Sequence, residues 1–364
     1  MTLELPSSQA ERSVYSAHEI LATDPGLEPL FANGVRCHGG FDPEGAYRSP
    51  RTLHRAPAIR AWQARLVTEG AELLTISGEL LPPQYPNVAQ AKLLLRAGVR
   101  DPIVRALTII AIVEGFGAVI RDVRVPELRA LVREPIEGTA LAHLEHGLFE
   151  AHARDEAGHR DQGGHKQMWE AARDLALENP RVPPDVLMRV MGRGGRRGER
   201  ARFFPQLDET LEAMLTTMAN VLVIEVFAAG TFDWGNRLLS DPEVSAEPER
   251  AGELVRCIRS DETPHVEYLR TALSEVRARS LNTMDGRTIP GRQVVDALLH
   301  RTLRVLTTSR PQEQRADTRE SLAAAMKRAG SPHALLEQFD ALETPHSAPA
   351  RTGFEPHSSE GNPA

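Results

Sequence analysis

Two five-residue stretches decide how this chain folds: Asp155-Glu156-Ala157-Gly158-His159 and Asp261-Glu262-Thr263-Pro264-His265. Both read Asp-Glu-x-x-His. Residues three apart share a face of an α-helix, so the Glu and His of each stretch can bind one metal ion or flank a pair of ions. One copy is short enough to arise by chance in a charged surface helix. The weight of the repeat therefore depends on what precedes each copy.

Between Arg105 and Arg121 the only ionisable residue is Glu114, set among Leu107, Ile109, Ile110, Ile112, Val113, Phe116, Val119 and Ile120. Between Glu212 and Asp233 it is Glu225, set among Met214, Met218, Val221, Leu222, Ile224, Phe227 and Phe232. A carboxylate buried, ionised and unpaired in so apolar a helix costs several kcal/mol. A divalent metal removes that cost. Each lone Glu precedes its Asp-Glu-x-x-His by about 40 residues, the span of one antiparallel helix hairpin.

One Glu from each of two helices plus a Glu-x-x-His from each of two others resembles the ferritin-like di-iron and di-manganese carboxylate proteins, over residues 101 to 280. The resemblance implies an all-α fold: a ferritin-like four-helix bundle with additional N- and C-terminal helices. It implies a centre of two iron ions, with a manganese and iron pair as the alternative, and O2 as co-substrate. Carried over by position, Glu114, Glu156 and His159 serve mainly one metal and Glu225, Glu262 and His265 the other, with Glu156 and Glu262 as bridges. In the O2-activating branch, such as the bacterial multicomponent monooxygenases, an Asp before the Glu commonly bonds a metal-binding His across the bundle. On that pattern Asp155 orients His265 and Asp261 orients His159, which fixes the tautomer and strengthens the imidazole as a ligand. Two solvated surface aspartates are the plainer alternative.

Other residues bear on the same site. His152 lies four before Glu156, hence on the same face, as a further ligand or a donor behind the ligands. The aryl-amine N-oxygenases are similar in their paired motifs, but their additional His stands four before the second Glu, where this chain has Ile258. His143, His146 and His165 read as solvent-facing or outer-layer residues. Pro264 predicts a local bulge or kink. Gly115, Gly117, Ala228, Ala229 and Gly230 leave space beside the two lone carboxylates, either for close helix packing or for a pocket.

Composition limits the alternatives. The chain has 364 residues, 41% apolar and 26% charged, enough for a large core without staples. Cys37 and Cys257 alone make neither a disulfide framework nor a cysteine metal site, which fits a reducing cytoplasm. The N-terminus lacks the basic start and apolar stretch of a signal peptide, and no apolar run is read as reaching the roughly 18 residues of a membrane span. A formal charge of −7 argues against nucleic acid as a partner.

The expected organisation is an N-terminal extension (1 to 100) with a loop from Asn33 to Pro50 and a helix over 55 to 81, the bundle (101 to 280), C-terminal helices (281 to 343) and a disordered tail (344 to 364). Within the bundle, helices are expected from Asp101 to Arg121, from Pro135 to Gly163-Gly164, from 208 to 239 and from Pro248 to Arg279, with further helices near 290 to 308, 318 to 329 and 332 to 342. The linker between the two halves, about 180 to 206, carries Arg189, Arg193, Arg196, Arg197, Arg200 and Arg202. It reads as a solvated loop, or as a dock for an acidic redox partner or a phosphopantetheine carrier.

These readings point to a non-haem di-iron oxygenase or oxidase acting on a small-molecule or carrier-bound organic substrate. Its expected partners are an electron-donating reductase or ferredoxin and a second copy in a homodimer. The alternative is a ferritin-like ferroxidase that handles iron itself, though about 100 residues before the bundle and more than 80 after it exceed the compact storage bundle. A radical-generating reductase subunit resembles the motif but expects a tyrosine where Gly163 stands.

Overall fold

The structure is a computed structural model and describes residues 12–77, 80, 82–184, 186, 202–329 and 332–343. Helices dominate it. The order is α1 (Ala17–Ile20), β1 (Glu28–Ala32), β2 (Val35–Phe41), β3 (Tyr47–Arg48), α2 (Arg55–Thr68), α3 (Val88–Arg96) and α4 (Asp101–Gly117), which tightens into a 3-10 turn over Ala118–Asp122. Next come α5 (Leu128–Leu131), two irregular turns over Ala140–His143 and Leu144–Leu148, α6 (Phe149–Ala157) and α7 (His165–Ala176). The second half holds α8 (Glu209–Leu239), α9 (Pro248–Arg277), β4 (Ser280–Asn282), β5 (Thr288–Pro290), α10 (Gly291–Arg304), α11 (Arg310–Ala329) and α12 (Pro332–Ala341).

Local chemistry explains the main boundaries. Asp208 caps α8 by accepting from the Leu211 N–H at 2.9 Å, and Pro102 and Pro248 sit in first turns, where a missing N–H costs nothing. α8 lies along α9, α4 along α7, and α7 also packs on α9. Apolar burial falls into two clusters. Along α8, Val223 belongs to one and Phe232 to the other; along α9, Tyr268 and Ile258 divide in the same way, as do Ile120 in the 3-10 turn and Ala111 in α4. Glu225, Glu262 and Glu114 occur where the membership changes, so the carboxylates form a polar layer between two apolar ones. Both clusters draw on residues before 101, and both draw on residues after 280.

Several expectations are corrected. The stretch from Asn33 to Pro50 contains the hairpin of β2 and β3 within a three-stranded antiparallel sheet, order β1-β2-β3, and is not simply loop. The helix expected over 55 to 81 ends at Thr68. The helix expected from Pro135 to Gly163-Gly164 runs only over Phe149–Ala157, because Gly147 (φ +136°) and Gly158 (φ +83°) hold backbone angles that a helix cannot accept. Pro264 lies inside α9, which continues through it. Two helical stretches, Asp101–Asp122 and Glu209–Leu239, are long and apolar enough to cross a membrane, contrary to the sequence expectation. Core helices of soluble proteins meet the same criterion. Of the linker arginines only Arg202 is described; it bonds Glu212 at 3.0 Å and the Leu207 carbonyl at 2.5 Å. The other five, and the tail from residue 344, lie outside the described residues.

Candidate metal centre

Glu114 comes from α4, His152 and Glu156 from α6, His165 from the first position of α7, Glu225 from α8, and Glu262 and His265 from α9. The three imidazoles are fully buried, and the Glu156 side chain is 2% exposed. Space for Glu156 is made by Gly117. A Cβ there would stand 2.5 Å from Cγ of Glu156, so any larger residue on α4 would push the carboxylate away.

Donor atoms converge in two overlapping groups: His152, Glu156, Glu225 and His265, and Glu156, His165, Glu262 and His265. Nε2 of His152 lies 3.3 Å from Glu225 and 3.7 Å from Glu156. Nδ1 of His165 lies 2.8 Å from Glu262, 3.3 Å from Glu156 and 3.6 Å from Glu114. Nδ1 of His265 lies 2.7 Å from Glu262 and 3.2 Å from Glu156. Its Nε2 lies 3.0 Å from Oδ2 of Asp155, the carboxylate held by Arg51 and Arg55.

These residues fit a cation. Asp155 can only accept, so the proton of His265 belongs on Nε2 and the lone pair of Nδ1 faces two carboxylates. Repulsion between lone pairs is relieved by a positive ion among them. Nε2 of His152, Nδ1 of His165 and Oε1 of both Glu156 and Glu262 are likewise buried without an aligned hydrogen-bond partner. Orphaned polar atoms of this kind each cost about 1 to 3 kcal/mol, whereas coordination would satisfy all four.

Electrostatics agree. Burial, together with the charges of neighbouring glutamates, pushes the Glu156 and Glu262 carboxyls well above the usual range. Burial opposes charge on His165, but Glu262 and Glu156 outweigh it and raise its pKa well above the ordinary value. Without metal, protons therefore occupy the positions that a divalent cation would fill. For Asp155, burial is overcome by the charges of Arg51 and Arg55 and by His265, which hold it well below the normal carboxylate range.

No family model, curated protein or solved structure matches the chain.

Of the residues singled out in the sequence, Glu114, Glu156, Glu225, Glu262, His265 and His152 come together, and Asp155 bonds His265 as expected. His159 does not join them. The helix stops at Ala157, Gly158 reverses the backbone, and His159 pairs through its backbone with Gln162 in a turn, partly exposed. Its place is taken by His165, which the sequence reading had put outside the site. Asp261 contacts His165 at 3.5 Å in place of His159. The missed signal was Gly158, a helix stop inside the first motif. His38, Tyr47, Arg51 and Arg55, which surround the two aspartates, carried no signal at all, since nothing in the N-terminal sequence announces a partner a hundred or more residues away.

Proposed function

We propose that the chain is a non-haem di-iron oxygenase or oxidase on a ferritin-like four-helix bundle made by α4, the α6 and α7 pair, α8 and α9. The observation that carries this reading is the convergence of buried Glu156, Glu225, Glu262, His152, His165 and His265, with unsatisfied atoms on Glu156, Glu262, His152 and His165 and with Glu114 3.6 Å from His165. His152, His265 and Glu225 would hold one ion, Glu114, His165 and Glu262 the other, and Glu156 reaches both groups. Bound ferrous ions supply the electrons that reduce O2. The protein's part is to orient the ligands, keep Asp155 ionised behind His265 and limit water. Of the three histidines only His265 belongs to an Asp-Glu-x-x-His motif; His165 stands in for His159, and His152 is the additional imidazole. An additional His also occurs in the aryl-amine N-oxygenases, where it precedes the second-half Glu instead of the first.

An organic substrate, not iron, suits the approach to the site. Glu114 and Glu225 are the most open of the ligand carboxylates, with side chains 10% and 9% exposed. Their exposed neighbours are Val113, Phe116 and Ile224, and Gly230, five residues beyond Glu225 along α8, faces open space. Exposed apolar side chains beside the two carboxylates favour an apolar compound over a hydrated cation. A reductase or ferredoxin would return the electrons.

The test is anaerobic loading with ferrous iron, followed by O2 uptake with and without a panel of apolar acids, amines and carrier-bound acyl groups. Binding of about two irons per chain, with uptake quickened by one class of compound, is expected. Accumulation of many irons per chain would establish the ferroxidase reading instead. Stoichiometry well below one would remove the metal centre.

A further inference from the structure

The N-terminal sheet reaches the site through both backbone and side chains. The His38 N–H donates to the Gly163 carbonyl at 2.9 Å, and the Gly163 N–H donates to the Arg36 carbonyl at 2.8 Å. β2 thus grips the loop two residues before His165. The same strand sets Nε2 of His38 at 3.2 Å from Oδ2 of Asp261, and the hydroxyl of Tyr47 in β3 donates to that oxygen at 2.9 Å. Nε2 of His165 lies 3.5 Å from it on the side of the metal ligands.

Tautomers follow from the donors. Arg51 can only donate, and its guanidinium lies 3.4 Å from Nδ1 of His38, so Nδ1 accepts and Nε2 carries the proton given to Asp261. Arg51 adopts φ +51°, a left-handed conformation uncommon for a residue with a side chain. That bend delivers one buried guanidinium to both Asp155 and His38. The two aspartates behind His265 and His165 therefore share a single network, and residues 38 to 55 supply it.

Resting on the metal-centre reading above, we propose that His38 and Tyr47 are positioning residues of that centre. They fix Asp261, which with the grip of β2 on Gly163 keeps Nδ1 of His165 turned toward Glu156 and Glu262. Neither residue is a ligand in this arrangement. His38 is nevertheless close enough to His165 and Asp261 to share a cation with them, so the test must separate the two roles.

The full-length apoprotein and its variants His38→Leu, His38→Gln and Tyr47→Phe are titrated anaerobically with Co2+, following bound metal and the visible ligand-field bands. All four should bind two Co2+. His38→Leu and Tyr47→Phe should weaken one of the two ions by roughly 10-fold and shift its bands, while His38→Gln, which keeps an N–H donor, recovers most of the affinity. Tyr47→Phe removes a single oxygen and keeps the comparison open if His38→Leu folds poorly. Titrations and spectra identical to the parent would overturn the positioning role. Loss of a whole Co2+ from His38→Leu that Gln does not restore would overturn it too, by making His38 a ligand. A parent that takes up no Co2+ overturns this inference and the metal centre together, whereas a normal parent with silent variants overturns this inference alone.

Discussion

Oδ2 of Asp155 stands 3.0 Å from Nε2 of His265 and 2.8 Å from the guanidinium of Arg55, so one carboxylate serves a candidate ligand and a buried cation together. Arg51 bonds its other oxygen. Replacing Asp155 with Ala would leave two arginines, at most 5% exposed, without their counter-charge. Such breakage costs about 3 to 5 kcal/mol. Urea unfolding of the metal-free Asp155→Ala protein should show a loss of that order, and a loss below about 1 kcal/mol would mean that the arginines find other partners.

Exchange of the two candidate histidines gives a sharp contrast. His165→Ala should lower bound metal by about one ion per chain, since its Nδ1 faces three carboxylates. His159→Ala should retain the parental stoichiometry. Metal content after gel filtration decides it, and the opposite pattern would restore the Glu-x-x-His reading of the first motif.

Metal uptake should strengthen as pH rises. Protons held on Glu156, Glu262 and His165 have to leave before a cation binds, so each proton displaced steepens the apparent affinity by up to about tenfold per pH unit. Calorimetry with Zn2+ in buffers of different ionisation enthalpy counts the released protons. Uptake that releases none between pH 5 and 8, a range of about three units, would place the cation elsewhere.

Glu275, away from the centre, should impose a pH dependence on folding. Burial pushes its carboxyl up to about 7, although the Ala140 and Leu141 N–H groups and Arg279 oppose the shift. An unfolded Glu loses its proton near 4.5, so between these values the folded form binds more protons. The contribution is complete below the lower value and falls by about 3 kcal/mol as pH rises through the upper one. Glu275→Gln should flatten that part of the profile of unfolding free energy against pH; parallel profiles for parent and variant would contradict it.

Much of this was legible in the sequence because it depended on pattern within one helix. Glu114 and Glu225 were found as lone charges in apolar runs, the start of α9 by Pro248, and Glu262 with His265 by an unbroken three-residue spacing. The first motif misled because Gly158 ends its helix, so the sequence neighbour His159 turns away and His165 arrives from the start of the next helix. Spacing arguments assume continuous backbone. The partners of the aspartates were hidden for another reason: His38, Tyr47 and Arg51 sit on short strands and a bend whose docking is decided by tertiary contacts, which leave no periodic trace.

The tie between the N-terminal sheet and α9 also bears on the order of assembly. His38 and Tyr47 meet Asp261 across 223 and 214 residues of chain, and Arg51 meets Asp155 across 104. Contacts that distant carry a high loop-closure cost and form late. A ribosome releases His38 and Tyr47 first, yet both must wait for more than 200 further residues before their carboxylate emerges. Until then His38 and Tyr47 lack their buried carboxylate partner, and Arg36 and His38 lack their backbone partner until Gly163 emerges, which makes this hairpin the place where a nascent chain would need protection.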